Sequence, residues 1–178
     1  MGIALAAHIC ELCEQGAPKA TAPLVAAQNG GIFATIWRML IVVDTNVFVG
    51  ACLGKGACNQ VIALCLQGLH TPVMGSALMA EYEAVLGRTA LFARSRLNAS
   101  ERDELLDIFL ATCQWRRVYY GWRPNLPDEG DNHLFELAIA AGAPVIVSRN
   151  TKDLARGELR FTRPQVQTPE HFVKENCA

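Results

Sequence analysis

The chain has 178 residues, 51% of them hydrophobic, and a formal net charge of -1. That composition excludes a disordered polar tail and supports one packed domain, or one domain with an appendage. The near-neutral charge argues against bulk coating of nucleic acid but leaves room for a local basic rim. Seven cysteines (Cys10, Cys13, Cys52, Cys58, Cys65, Cys113 and Cys177) are odd in number and irregularly spaced. They read as reduced thiols of a cytoplasmic protein, not as a disulfide framework. Cys10-x-x-Cys13 has no second C-x-x-C to complete a zinc site. No stretch approaches the roughly 18 apolar residues of a membrane span, so no membrane role is expected. The first residues lack the basic start of a signal peptide, and Ala6 stands where myristoylation wants Ser or Thr.

Residues 1–38 are Ala-rich, with Gly30-Gly31, scattered prolines and no sustained period. They read as an N-terminal appendage, disordered or upstream of the true start. The organised domain is expected over 39–178, beginning at Met39. The β-branched run after it predicts a buried strand over 40–45. A Gly-containing loop follows from Gly50 to Gly56, then a helix over about 57–68 with Cys58, Val61, Ile62, Cys65 and Leu69 on one stripe and Gly68 at its end. Thr71 to Met74 reads as a second strand. Ser76 is placed to cap a helix over 77–87 that Gly87 ends. A polar link from Arg88 to Leu97 leads to a helix from Ser100 to about Cys113, where Ser100 with Asp103 is a loose capping box. Arg117 to Tyr120 reads as a third strand. A loop with Pro124, Pro127 and Gly130 precedes a helix over 131–141 ended by Gly142. Pro144 to Ser148 is the fourth strand, and Val166-Gln167 a short fifth. Thr168 caps a last helix with Pro169 at its first position. Strands alternating with helices predict an α/β fold: a central parallel sheet of about five short strands with helices on both faces.

Four acids fall near strand ends or helix starts. Asp44 closes strand one, at the edge where open α/β sheets place their sites. Glu81 lies in the helix after strand two, Asp131 (with Asp128 before it) begins the helix before strand four, and Asp153 follows that strand. Crowded carboxylates repel unless a cation holds them, and hard oxygen donors suit Mg²⁺ or Mn²⁺. Ordinary roles are open for each: a turn for Asp44, a solvated helix face for Glu81, an N-cap for Asp131, and pairing with Arg149 or Arg156 for Asp153. His133, two residues beyond Asp131, is expected to face elsewhere as a surface or partner-facing residue.

Several segments, in order, resemble a PIN-domain nuclease of the kind found as toxins in bacterial toxin–antitoxin pairs. They are Val42-Val43-Asp44-Thr45-Asn46-Val47-Phe48, Ser76 to Tyr82, Asp128-Glu129-Gly130-Asp131-Asn132 with Leu134 to Ala138, Val145 to Leu154, and the closing Thr168 to Phe172. The resemblance spans about 39–173; the strand ending in Asp-Thr-Asn is its most specific piece. It implies a Mg²⁺- or Mn²⁺-dependent endoribonuclease with Asp44, Glu81 and Asp131 as acidic site and metal-holding residues. Asn46 would support Asp44 by hydrogen bonding, and Ser148 would hold the site or a metal-bound water. The chain departs from the commoner pattern at the fourth acid. Asn150 stands where many members carry Asp, and Asp153 fits an alternative arrangement. The resemblance also implies RNA as substrate, a homodimer, and a cognate antitoxin whose tail blocks the site.

Arg88, Arg94, Arg96, Arg149, Lys152, Arg156, Arg160 and Arg163 flank the acids and could hold phosphates. Trp115, Tyr119, Tyr120 and Trp122 could stack bases, but core or dimer packing is the expectation. Two other functions compete. An aspartyl-phosphate phosphatase also places an Asp after strand one, but wants a second acid where Asn46 stands. A catalytically eroded RNA- or protein-binding module would explain Asn150.

Overall fold

The structure, a computed structural model, describes residues 38–119, 121, 126, 129–157 and 162–176. The expected appendage thus lies almost wholly outside the described residues, as do Tyr120, Trp122, Asp128 and Arg160. Five strands form one sheet: β1 (Leu40–Val43), β2 (Thr71–Met74), β3 (Gln114–Trp115), β4 (Val145–Val147) and β5 (Gln165–Gln167), in the order β3-β2-β1-β4-β5. Every neighbouring pair is parallel. Ile41, Val42 and Val43 of β1 and all of β4 are buried, as expected of apolar strands covered by helices. The chain adds β2 and β3 on one side of β1, then β4 and β5 on the other. The order therefore reverses between β1 and β4, and the crevice beyond their carboxyl ends is the place a parallel sheet offers a ligand.

Seven helices pack around the sheet among the described residues: α1 (Thr45–Cys52), α2 (Gly56–Leu66), α3 (Ser76–Leu86), α4 (Ala99–Thr112), α5 (Asn132–Ala141), the single turn α6 (Thr151–Leu154) and α7 (Pro169–Asn176). α5 lies against β1, β2 and β4, while α2 joins α1, α4 and α7. The rings of Phe48 (α1), Tyr82 (α3) and Phe109 (α4) meet with centroids 5.3–6.1 Å apart. The buried Tyr82 hydroxyl donates to the Val43 carbonyl at 2.9 Å, so α3 is tied to the end of β1.

Four expectations change. The first is α1, which occupies a segment whose β-branched residues have poor helix propensity. Tertiary packing overrides that propensity: Asp44 caps the helix, and Val47, Phe48, Ala51 and Cys52 are buried. The expected loop from Gly50 shrinks to a turn at Leu53 to Lys55. Gly50 sits where a Cβ would meet Cys58 Sγ at 2.6 Å, so its lack of a side chain lets α1 and α2 approach. Second, Ser76 is the first residue of α3, and Gly75 takes the cap position. Third, the capping box of α4 is Asn98 with Glu101, two residues before the expected pair. Asn98 Oδ1 accepts from Glu101 N at 3.0 Å, and Glu101 Oε2 from Asn98 N at 2.7 Å. Fourth, the third strand forms at Gln114–Trp115, and the described part of the expected strand, Arg117 to Tyr119, is not in the sheet. β2 supplies an edge opposite Gln114 and Trp115, and its last bond is Arg116 N to Met74 O at 2.9 Å. Beyond it Val118 and Tyr119 are exposed, as is Trp115, so Trp115 and Tyr119 do not pack in the core. Gly142 ends α5 as expected, in the left-handed region at φ 66° where a side chain would be strained.

Candidate active site at the carboxyl ends of β1 and β4

Asp44 lies in the crevice of the sheet reversal. Its backbone N–H donates to Val147 O at 3.0 Å, joining the end of β1 to the end of β4. The carboxylate is buried, yet four donors reach it. Oδ1 accepts from Asn46 N at 3.1 Å and from the Thr45 hydroxyl at 3.2 Å. Oδ2 accepts from Asn46 Nδ2 at 2.7 Å and from Ser148 Oγ at 2.6 Å. Asn46 thus holds both oxygens, and its own Oδ1 accepts from Arg149 N at 2.9 Å. Ser148, fully buried, donates to Asp44 and accepts from Asn46 Nδ2 at 3.1 Å and from Asn150 N at 2.9 Å. Asn46 and Ser148 therefore both hydrogen-bond the Asp44 carboxylate. Asn150 reaches the same network through its backbone N–H.

Glu81, one residue before the buried Tyr82, points at this cluster from α3. Its Oε1 takes a short hydrogen bond from the Thr45 hydroxyl. Thr45 carries one hydroxyl proton, so it cannot satisfy Asp44 Oδ1 and Glu81 Oε1 together. Burial raises the Asp44 carboxyl above its ordinary range, and the Glu81 charge raises it further; the bonds from Ser148, Asn46 and Thr45 work against this. For Glu81 burial also raises, but hydrogen bonds from His133 and Thr45 and the charges of His133 and Arg88 outweigh it, leaving the carboxyl lowered.

The position of His133 beside Glu81 corrects the expectation that this residue faces elsewhere. His133 Nε2 lies 3.0 Å from Glu81 Oε2, and its side chain is only 16% exposed. That expectation treated Asp131 to His133 as continuous helix. Glu129–Asp131 is instead a 3₁₀ turn, and α5 begins at Asn132. The ring turns back to place Nδ1 2.6 Å from Gly130 O. A carbonyl can only accept, so Nδ1 carries a proton there. Burial lowers the His133 imidazole, but the bonds to Glu81 and Gly130 and the charges of Glu81 and Asp131 overcome it, and it is raised.

Asp131 occupies the cap position of α5 without a side-chain cap bond, and lines a cleft of about 490 Å³ with Ala77, Glu81, Asn132, His133 and Glu136. Asp153 is placed differently. On α6 its Oδ1 lies 3.7 Å from Arg156 Nη1, with both side chains about half exposed or more, and it is not part of the Asp44 network. Asp128 is outside the described residues.

The donors brought together are hard oxygens, which suit Mg²⁺ or Mn²⁺. Among the described residues no three acidic, His or Cys side chains gather closely enough to hold an ion alone. The cradle offered is Asp44 and Glu81 bridged by Thr45. That fits an ion such as Mg²⁺, which commonly takes one or two carboxylates and completes its shell with water and phosphate. The raised Asp44 carboxyl and the single Thr45 proton shared by two carboxylates mark a place short of positive charge.

A doubly covered parallel sheet with an aspartate-centred, oxygen-rich cluster at its reversal defines the class: an α/β domain with an acidic site. The particular family follows from the sequence itself, because the PIN domain family matches residues 40–152 and the chain belongs to it. No curated protein matches the chain. One similar solved structure is titled "Crystal structure of VapBC2 from Rickettsia felis bound to a DNA fragment from their promoter". The match has 18% identity and a TM-score of 0.49, and covers 73% of this chain and 98% of that one.

Proposed function

We propose that this PIN domain is a Mg²⁺- or Mn²⁺-dependent endoribonuclease that hydrolyses RNA phosphodiester bonds, and that it serves as the toxin of a toxin–antitoxin pair. The observation that carries the nuclease reading is the Asp44–Thr45–Glu81 cradle: two carboxylates share one hydroxyl proton at the sheet reversal. A bound divalent ion would supply Lewis-acid activation of the phosphodiester. Asp44 and Glu81 would hold it, with Asp131 across the cleft. Asn46 and Ser148 fix the Asp44 carboxylate so that it need not reorganise, the condition under which electrostatic stabilisation is most effective. Arg149 and Lys152, exposed beyond β4, would meet RNA phosphates. The toxin role, the cognate antitoxin and the homodimer rest on the family resemblance, and a cytoplasmic location on the reading of the cysteines as reduced thiols. No single described helix is long and apolar enough to cross a membrane.

The test is cleavage of labelled single-stranded RNA by the full chain with Mg²⁺, Mn²⁺ or EDTA, beside Asp44→Asn. Metal-dependent cutting that disappears in the variant supports the reading. A folded protein that neither cuts nor binds Mn²⁺ sinks it. A second reading, an eroded RNA- or protein-binding module, is favoured by one observation: Asp153, the candidate fourth acid, pairs with Arg156 instead of joining the cluster. RNA binding without cleavage by the same protein would favour it.

A further inference from the structure

The role of His133 follows from how Glu81 is held. A glutamate on a helix surface has several rotamers, and ordering it costs free energy. Here each carboxylate oxygen has a protein neighbour: Oε1 takes the Thr45 hydroxyl bond, and Oε2 lies 3.0 Å from the buried His133 Nε2, an ion-pair contact of the doubly protonated ring and not an aligned hydrogen bond. The imidazole is itself fixed at its other nitrogen by the Gly130 carbonyl at 2.6 Å, in the turn that carries Asp131. Glu81 from α3 is thereby tied to the start of α5, with one oxygen turned toward Asp44. We propose that His133 is a positioning residue of the acidic site, holding Glu81 toward Asp44 so that the two carboxylates are ready for a divalent cation. The proposal rests on the metal-dependent reading above. Carboxylates that hold metals are oriented by outer hydrogen bonds, and losing such a partner weakens metal affinity by about 10–100-fold.

The experiment is Mn²⁺ titration of the full chain without RNA, read by calorimetry and by the free-ion electron paramagnetic resonance signal, with melting in EDTA to check folding. His133→Leu keeps apolar bulk but removes both ring nitrogens. Its Mn²⁺ affinity is expected to fall by about tenfold or more. His133→Gln presents an N–H at a reach like that of Nε2 and is expected to stay within about threefold of wild type. In a Glu81→Gln background, His133→Leu is expected to cause no further loss, because a residue acting through Glu81 has nothing left to orient. Should the Leu variant fail to fold, His133→Gln is compared with His133→Asn, one methylene shorter; only Gln is expected to retain affinity. Wild-type or tighter binding by His133→Leu, or retention by Asn equal to Gln, overturns the positioning role while loss in Asp44→Asn leaves the metal site standing. No Mn²⁺ binding by wild type, or equal binding by Asp44→Asn, overturns the metal reading and the proposal with it.

Discussion

Ser148→Ala removes one oxygen from the most tightly bonded part of the site. Ser148 is fully buried, donates to Asp44 Oδ2 at 2.6 Å, and accepts from Asn46 Nδ2 and Asn150 N. A hydrogen bond to a charged group contributes about 1.5–3 kcal/mol. Asn46 Nδ2 keeps its bond to Asp44, and Asn150 is half-buried so water can reach it. The expected loss is therefore about 2–3 kcal/mol, dominated by the bond to Asp44. That corresponds to roughly 4–12 °C in Tm for a domain of this size. The loss also depends on pH. The Asp44 carboxyl is already raised in the folded protein, chiefly by burial, and the Ser148 bond is the largest influence lowering it. Without that bond the folded carboxyl keeps its proton to still higher pH. A folded value above the unfolded one makes ionised Asp44 a cost at neutral pH, a cost that fades as pH falls through the folded value. It is larger in the variant, so the gap from wild type is widest near neutral pH and narrows on acidification. Urea unfolding in EDTA at about pH 7.5 and about pH 5 measures this. A gap below about 0.5 kcal/mol, or one that does not narrow, refutes the reasoning.

His70 is 1% exposed, and among the described residues neither ring nitrogen has a partner; its ring meets Phe172 edge-on at 5.1 Å. Burial lowers its imidazole below the ordinary 6.5, so the unfolded chain takes a proton first and stability falls as pH drops below about that value. His70→Leu is expected to remove this component and to leave the protein at least as stable near neutral pH; an unchanged pH slope in chemical denaturation refutes it. Gly50→Ala would place a Cβ 2.6 Å from Cys58 Sγ inside the α1–α2 contact. Despite the better helix propensity of Ala, overpacking is expected to cost about 1–3 kcal/mol, partly restored by Cys58→Ala; a stability gain in Gly50→Ala refutes the close approach.

The strands of the sheet interior were legible because buried parallel strands are short apolar runs, and Leu40 to Val43 and Val145 to Val147 are such runs. Asp44 was legible as a candidate for the same reason, since it closes one such run, whereas Asn46 and Ser148 were singled out only by the resemblance to PIN-domain nucleases. The misplaced elements fail on different grounds. α1 is built from residues that disfavour helix, and only its cap and buried face decide its form. β3 depends on where β2 offers an edge, which Val118 and Tyr119 carry no mark of. The pairing of His133 with Glu81 joins residues on two helices through a 3₁₀ turn. A helical period drawn through Asp131 assigns the ring the wrong direction.

A turn-stabilising role and a site role for Asp44 looked like alternatives in the sequence, but the geometry is compatible with both at once. Asp44 is the N-cap of α1, accepting the Asn46 N–H, and that bond helps aim its carboxylate into the crevice between β1 and β4. The helix start supplies N–H groups and a favourable dipole, which helps a buried carboxylate remain there at all. Asn46 and Ser148 then occupy Oδ2, so the less satisfied oxygen is Oδ1, which faces Thr45. Across that hydroxyl stands Glu81 Oε1, held from behind by His133. The donors that build the fold are thus arranged around the outside of the carboxylate pair. The gap between the two acids is served by a single hydroxyl proton, which is where a cation would do most to relieve their repulsion.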